Sequence, residues 1–251
     1  MIKITETSLL PVRQVLLIAY MTGVLWLRRN PMSLVFTAIS PFSLLFVLFV
    51  VSGGQYTHFA VAGSLVMALV GYGLALGQDI SFYKTEYKVQ DVFVASPVSP
   101  LTYMIGLALS ELLFGLPALI VLAALVLYFG SVFSVPLLIT TILLIWGAMS
   151  AMGFFLSSHM LHMRNATQVI SFVNVILAVL PPVFYSMDIM PEVLRPLAYA
   201  VPTTHASLML QDIMGIPTPG DWSLEFGFAI QIAYLFVFIT LAKIKALWRE
   251  N

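Results

Sequence analysis

Long apolar stretches alternate with short polar ones along this chain. Six of them, Met32 to Val51, Thr57 to Gly77, Thr102 to Phe129, Val135 to Ser158, Ala166 to Met187 and Trp222 to Ala242, are long enough to cross a bilayer. A helix needs ~20 residues to traverse ~30 Å of hydrocarbon. Each predicts an α-helix, because an open sheet edge would leave backbone polar groups unsatisfied in lipid. Leu9 to Leu27 is also apolar, but Pro11, Arg13 and Gln14 interrupt it. Its uninterrupted part of ~13 residues makes only ~20 Å of helix. That predicts an interfacial helix, with Trp26 and Arg28 at the headgroup level.

The polar interludes differ in kind. Asp79 to Pro100 carries Lys84, Glu86, Lys88 and Asp91, while Phe82, Tyr83, Val89, Val92 and Phe93 recur at helical spacing. This pattern predicts an amphipathic surface helix from Phe82 to Ser96, stopped where Pro97 and Pro100 restart the chain. Asp188 to Asp221 is long and holds Pro191, Pro196, Pro202, Pro217 and Pro219. It predicts a short helix over Met190 to Ala200, then a second over Thr203 to Met214 with Thr203 or Thr204 as N-cap and Gly215 after its end. The second is mostly apolar and is expected to dip into the outer leaflet as a re-entrant helix under cover of protein.

Composition fixes the solvent. Hydrophobic residues make up 61% and charged residues 9% of the chain, and the mean hydropathy is +1.02. Soluble domains carry about 25% charged residues, so this chain is solvated by lipid. Six spans with the N-terminus inside place ten of the eleven Lys and Arg residues in the cytoplasm and only Arg195 outside. The positive-inside rule favours this arrangement over a seven-span one, which would strand Lys3 and Arg13 outside. Both termini are therefore expected in the cytoplasm of a multi-pass plasma-membrane protein, with no cleaved signal peptide. Zero net charge and the lack of a basic run argue against nucleic acid. Without cysteine there is no thiolate metal site or cysteine nucleophile.

Residues 1–251 read as one membrane domain, with an interfacial part at 1–31, a charged interlude at 79–100 and an external loop at 188–221. There is no G-x-x-x-x-G-K-[ST] phosphate loop, so energy for any transport must come from a partner or an ion gradient. Glu111 is the one carboxylate well inside a predicted span, where it either touches cargo or makes a hydrogen-bonded helix contact. Asn174 carries the same two readings, with an interhelical hydrogen bond favoured. His159 and His162 share a helical face but lack a third metal ligand, so no metal is expected. His205 reads as a helix-capping residue. Neither G-x-S-x-G nor H-E-x-x-H is present, and no catalytic residue is expected. Phe184 and Tyr185 are either interfacial aromatics or an outer gate made movable by Pro181 and Pro182. Gly73 and Gly77 form a G-x-x-x-G that serves close helix packing within one protomer or between two.

Two regions carry a family resemblance: Lys88 to Leu109, through Asp91, Phe93, Ser96, Pro97, Ser99 and Gly106, and Pro182 to Leu210, through Phe184, Tyr185, Pro191, Pro202, Thr204 and His205. They resemble the type-2 ABC export permeases in motif order, spacing and six-span frame. Lys88 stands where many relatives have glycine, and Gln211 near where many have arginine. The resemblance implies an all-α membrane protein of six transmembrane helices, with the N-terminal interfacial helix, a cytoplasmic coupling helix and short external re-entrant helices before the last span. It also implies a homodimer of permeases driven by two copies of an ATP-binding subunit. ATP and Mg would be bound there and no cofactor by this chain. Glu86, Tyr87, Lys88, Asp91 and Phe93 are then the ATPase-coupling residues, and Glu111, Asn174, Phe184 and Tyr185 the pathway or gate candidates. Two other readings are an ion-coupled secondary transporter with Glu111 as coupling acid, and a non-transport membrane assembly subunit.

Overall fold

The computed structural model describes residues 3–86, 88–130, 134–160 and 162–245, and all regular structure among them is helical. Five helices are long and apolar enough to cross a membrane: α3 (Met32–Val51), α4 (Thr57–Thr85), α6 (Pro100–Phe129), α7 (Val135–Ser158) and α11 (Leu224–Lys245). The remaining expected span forms α8 (Met163–Val179), whose 17 residues measure about 25 Å. It starts earlier and stops sooner than the apolar run suggested. Pro181 and Pro182 lack the N–H groups that another turn requires.

At the N-terminus, α1 (Lys3–Ala19) runs through Pro11 and a π-helical turn, Tyr20–Val24, into α2 (Leu25–Arg29). The helix is thus longer than Leu9 to Leu27. One side of it lies on α6, where Ile18 and Gly23 are buried. A β-carbon at Gly106 would come 2.7 Å from Ile18, and one at Gly23 would come 3.0 Å from Ser110. These contacts fix the register of the two helices.

The helix α4 is the axis of the molecule, packed on α3, α6, α7, α8 and α10 (Pro202–Ile213). Its buried face mixes Ala60, Ala62, Gly63, Ser64, Ala68, Gly73 and Gly77 with Val and Leu. Small residues let neighbouring backbones approach, the main source of helix adhesion in lipid. Gly73 and Gly77 face α7 and α8: a β-carbon at Gly73 would lie 2.5 Å from Met149, and one at Gly77 2.5 Å from Ile170 and 2.6 Å from the Gly153 carbonyl. The G-x-x-x-G therefore packs within the protomer. By contrast, α3 exposes Phe36, Phe46, Val50 and Val51.

Candidate functional site

The charged interlude is built in two pieces. Past Gly77, α4 continues through Asp79 to Thr85, because Ile80 and Tyr83 pack with Tyr103, Met104 and Leu107 of α6. The break falls at Glu86 to Lys88, where Lys88 adopts left-handed φ 51°, the only positive φ of a non-glycine among the described residues. A short helix, α5 (Val89–Val94), follows. The single amphipathic helix expected over Phe82 to Ser96 is thus corrected to the tail of α4, a left-handed hinge and α5. Ser99 then starts α6: its Oγ accepts from the Thr102 N–H at 3.1 Å, and Pro100 occupies the first turn.

Two contacts tie this segment to the bundle. The Phe93 and Tyr103 rings lie 5.0 Å apart at 45°, and Gln90 is buried. On the other side, Glu86, Lys88, Asp91 and Val92 are exposed, Val92 by 68%. Of the expected coupling residues, four are thereby placed on or under one short helix and its hinge; Tyr87 lies outside the described residues.

Glu111 is not alone. Its carboxyl group is in hydrogen-bond contact with that of Asp79, across the α4–α6 packing. Sequence reading missed Asp79 because a charge was taken to mark the exit from the span. The signal available was the lack of any helix breaker between Gly77 and the residues after Thr85. The pair opens on a cavity of about 250 Å³ that α2, α3 and the preceding π turn close from the side. Trp26 and Phe114 meet edge to face at its wall, 5.4 Å apart.

The opposite end is organised by α10, in which almost every side chain is buried. Polar groups bond to carbonyls from distant segments: Thr203 Oγ1 donates to Leu177 O at 2.7 Å and Ser207 Oγ to Pro182 O at 3.2 Å. Gln231 Nε2 of α11 donates to Pro202 O at 2.6 Å. Thr204 Oγ1 donates to Ala198 O in α9 (Arg195–Tyr199). Neither threonine is the N-cap; that position is Val201, with no side-chain cap. The two short helices otherwise fall near the expected segments, α9 covering the later part of Met190 to Ala200.

His205 does not cap the helix either. Trp222 Nε1 donates to its Nδ1 at 3.3 Å, so its Nε2 carries the proton and donates to Tyr199 O at 2.9 Å. Burial holds this imidazole below its ordinary range, partly offset by the Tyr199 bond. Gln211 is 1% exposed and donates to Ser207 Oγ at 2.9 Å. The bonds of Thr203, Ser207 and Gln231 are ones that periodicity could not reveal, because their partner carbonyls lie 25 to 29 residues away along the chain.

Phe184 and Tyr185 separate. The Phe184 ring sits over Gly63 of α4, whereas Tyr185 packs with Met187, Met190 and Ala198 and borders an apolar groove of about 530 Å³ with Ile189 and Leu194. Asn174 Oδ1 is buried with no hydrogen-bond partner among the described residues. His159 Nδ1 lies 2.9 Å from Phe155 O. No group of three or more His, Asp or Glu among the described residues could hold a metal ion.

The family model described as ABC-2 type transporter matches residues 11–214. The chain belongs to the ABC-2 type transporter family. The match runs from α1 to the end of α10, so the charged segment around α5, the carboxyl pair and the buried polar helix lie inside the matched region. No curated protein matches the chain. Members of this family form transport membrane domains and are not themselves catalytic, and they normally work with an ATP-binding subunit. This chain is accordingly a multi-pass membrane permease.

Proposed function

We propose that this permease is the membrane half of an ATP-driven exporter, in which two protomers form the pathway and two copies of a separate ATP-binding subunit supply the work. ATP and Mg belong to that subunit. The observation that carries the reading is α5 with its hinge: a six-residue helix exposing Asp91 and Val92, preceded by the exposed Glu86 and Lys88, and fixed to α6 through Phe93 and Tyr103. Three charges around one exposed aliphatic side chain suit a protein partner better than lipid. A push on α5 passes through the aromatic contact to α6 and through the hinge to α4, the two helices that carry Glu111 and Asp79. Cargo would move outward between protomers, with Phe184 and Tyr185 as the outer gate.

Reconstitution with the ATP-binding subunit tests this. In the Glu86→Lys, Asp91→Lys double variant, transport-linked ATPase activity should be lost while thermal unfolding stays near that of the parent, since both side chains are exposed. Normal coupling in that variant sinks the proposal. Orientation is tested in the same cysteine-free chain: an impermeant thiol reagent on intact cells should label a cysteine at position 188 or 221 and spare one at 88. The ion-coupled reading has one observation in its favour, the Asp79–Glu111 pair. It gives α5 no task, and transport that needs ATP but survives collapse of ion gradients excludes it.

A further inference from the structure

We infer that His205 and Trp222 form a proton-operated latch, which holds the loop between α10 and α11 closed and releases it in acid while the helical bundle stays folded. The chemistry of the two rings sets the condition. An indole N–H can only donate, so the 3.3 Å bond from Trp222 Nε1 to His205 Nδ1 exists only while Nδ1 keeps its lone pair. The other ring nitrogen is committed, its proton going to Tyr199 O at 2.9 Å. A second proton can therefore enter only at Nδ1, where it sets one N–H against another. A protonated His205 and a seated Trp222 exclude each other.

Trp222 is the anchor of this loop. Gly215, Pro217, Gly220 and Asp221 are exposed, whereas Trp222 is 6% exposed and packs with Leu208 and Met209 of α10. Its seat depends on Gly227 of α11, where a β-carbon would come 2.5 Å from the indole ring. The near end of the loop is held separately, by Ile216 N donating to Gln211 O at 2.8 Å. Only a 3.4 Å bond from the Tyr199 hydroxyl to Asp221 Oδ1 assists Trp222 at the far end. Beyond the latch, α11 is fixed by its packing on α7 and by the Gln231 bond to Pro202 O, neither of which a proton alters, so release stops near the first turn of α11. The charged groups of the surrounding elements at this end are Arg195 of α9, Asp212 of α10, Asp221 and Glu225 of α11. From α4 comes His58, whose ring meets Phe129; α7 has no charged residue, and Arg164 of α8 lies at the opposite end of its helix. The His205 shift comes from burial, opposed by the Tyr199 carbonyl, and from none of these charges. The latch thus responds to pH and not to the ionisation of a neighbour.

The test is hydrogen–deuterium exchange of the whole purified chain in detergent between pH 7 and pH 5, corrected for the intrinsic pH dependence of exchange. The bonded amides of Trp222, Phe226 and Gly227 report the latch, and those of α7 report the bundle. Protection over residues 220–228 should fall in acid, by up to about tenfold per pH unit because a single proton is taken up, while α7 stays protected. In His205→Gln, which cannot titrate, protection of the same segment should not depend on pH. Constant protection in the parent, an equal decline in His205→Gln, or loss of α7 protection in step with the loop overturns the latch. Should the glutamine variant fail to fold, Trp222→Phe decides: it keeps a ring in the seat but removes the donor that faces Nδ1, so the decline should flatten, and a parent-like decline overturns the latch. No ATP, partner or sidedness enters the measurement, so its failure and failure of the exporter reading are separate results.

Discussion

The Phe184 ring occupies the space that any side chain at Gly63 would need: a β-carbon there would lie 2.3 Å from the ring and 2.7 Å from the Val183 carbonyl. The missing side chain lets the chain after α8 seat against the far end of α4. Gly63→Ala should therefore destabilise the protein by about 1–3 kcal/mol, the usual cost of forcing atoms into a packed core. Because one of the two obstacles is a backbone oxygen, Phe184→Ala should rescue the variant only in part. Thermal unfolding of the single and double variants in detergent reads both effects, and their non-additivity measures the contact.

A second close approach has a different reader. Gly73 and Gly77 meet Met149, Ile170 and Gly153 of the same chain. Substitution to leucine should then lower stability at every protein concentration and leave any dimerisation constant of the folded fraction unchanged. A variant that folds like the parent but dissociates on dilution would place the motif between protomers instead.

Apolar runs made the long helices legible, since in lipid nearly every residue of a span must be apolar and the pattern survives without knowledge of neighbours. Three features were not legible, each because a contact outside the residue's own helix changed its meaning. Asp79 looked like the edge of a water-exposed loop, yet it is a half-buried member of α4 whose carboxyl group meets that of Glu111 on the next long helix. Thr203, Thr204 and His205 looked like caps, yet their partners are the carbonyls of Leu177, Ala198 and Tyr199. Pro11 looked like an interruption, yet α1 passes through it on its way to the contact with α6. The left-handed turn at position 88 gives a physical reason for the glycine that the family resemblance expects there, and nothing in the structure explains the lysine.

That hinge yields the third prediction. A left-handed non-glycine residue costs roughly 1–2 kcal/mol, while glycine adds roughly 0.5–1 kcal/mol of backbone entropy to the unfolded chain. Lys88→Gly should consequently fold as well as the parent or gain up to about 1 kcal/mol. Lys88→Val places a β-branched residue at φ 51° and should lose roughly 1–2 kcal/mol. Limited proteolysis between α4 and α5 should be faster in the valine variant and unchanged in the glycine variant. Equal cleavage rates in both would show that the left-handed turn does not hold the segment.

His205 makes the stability of the far end depend on pH. In the folded chain, Trp222 donates to Nδ1, so taking a proton there breaks that bond and places a charge among buried groups. Burial lowers the folded pKa below the ordinary 6.5. Above about 6.5 the imidazole is neutral in both states and folding loses nothing through it. As pH falls below that value, the unfolded chain takes up a proton that the folded chain resists, so stability declines until the folded pKa is also passed. Thermal unfolding should therefore be flat from pH 8 to 7 and drop from pH 6.5 towards 5. His205→Gln cannot titrate, so its curve should lose this component of the drop while starting lower at pH 8, because the glutamine cannot reach both Tyr199 and Trp222. A parent curve that keeps the same slope as the variant through pH 6 would remove His205 as the sensor.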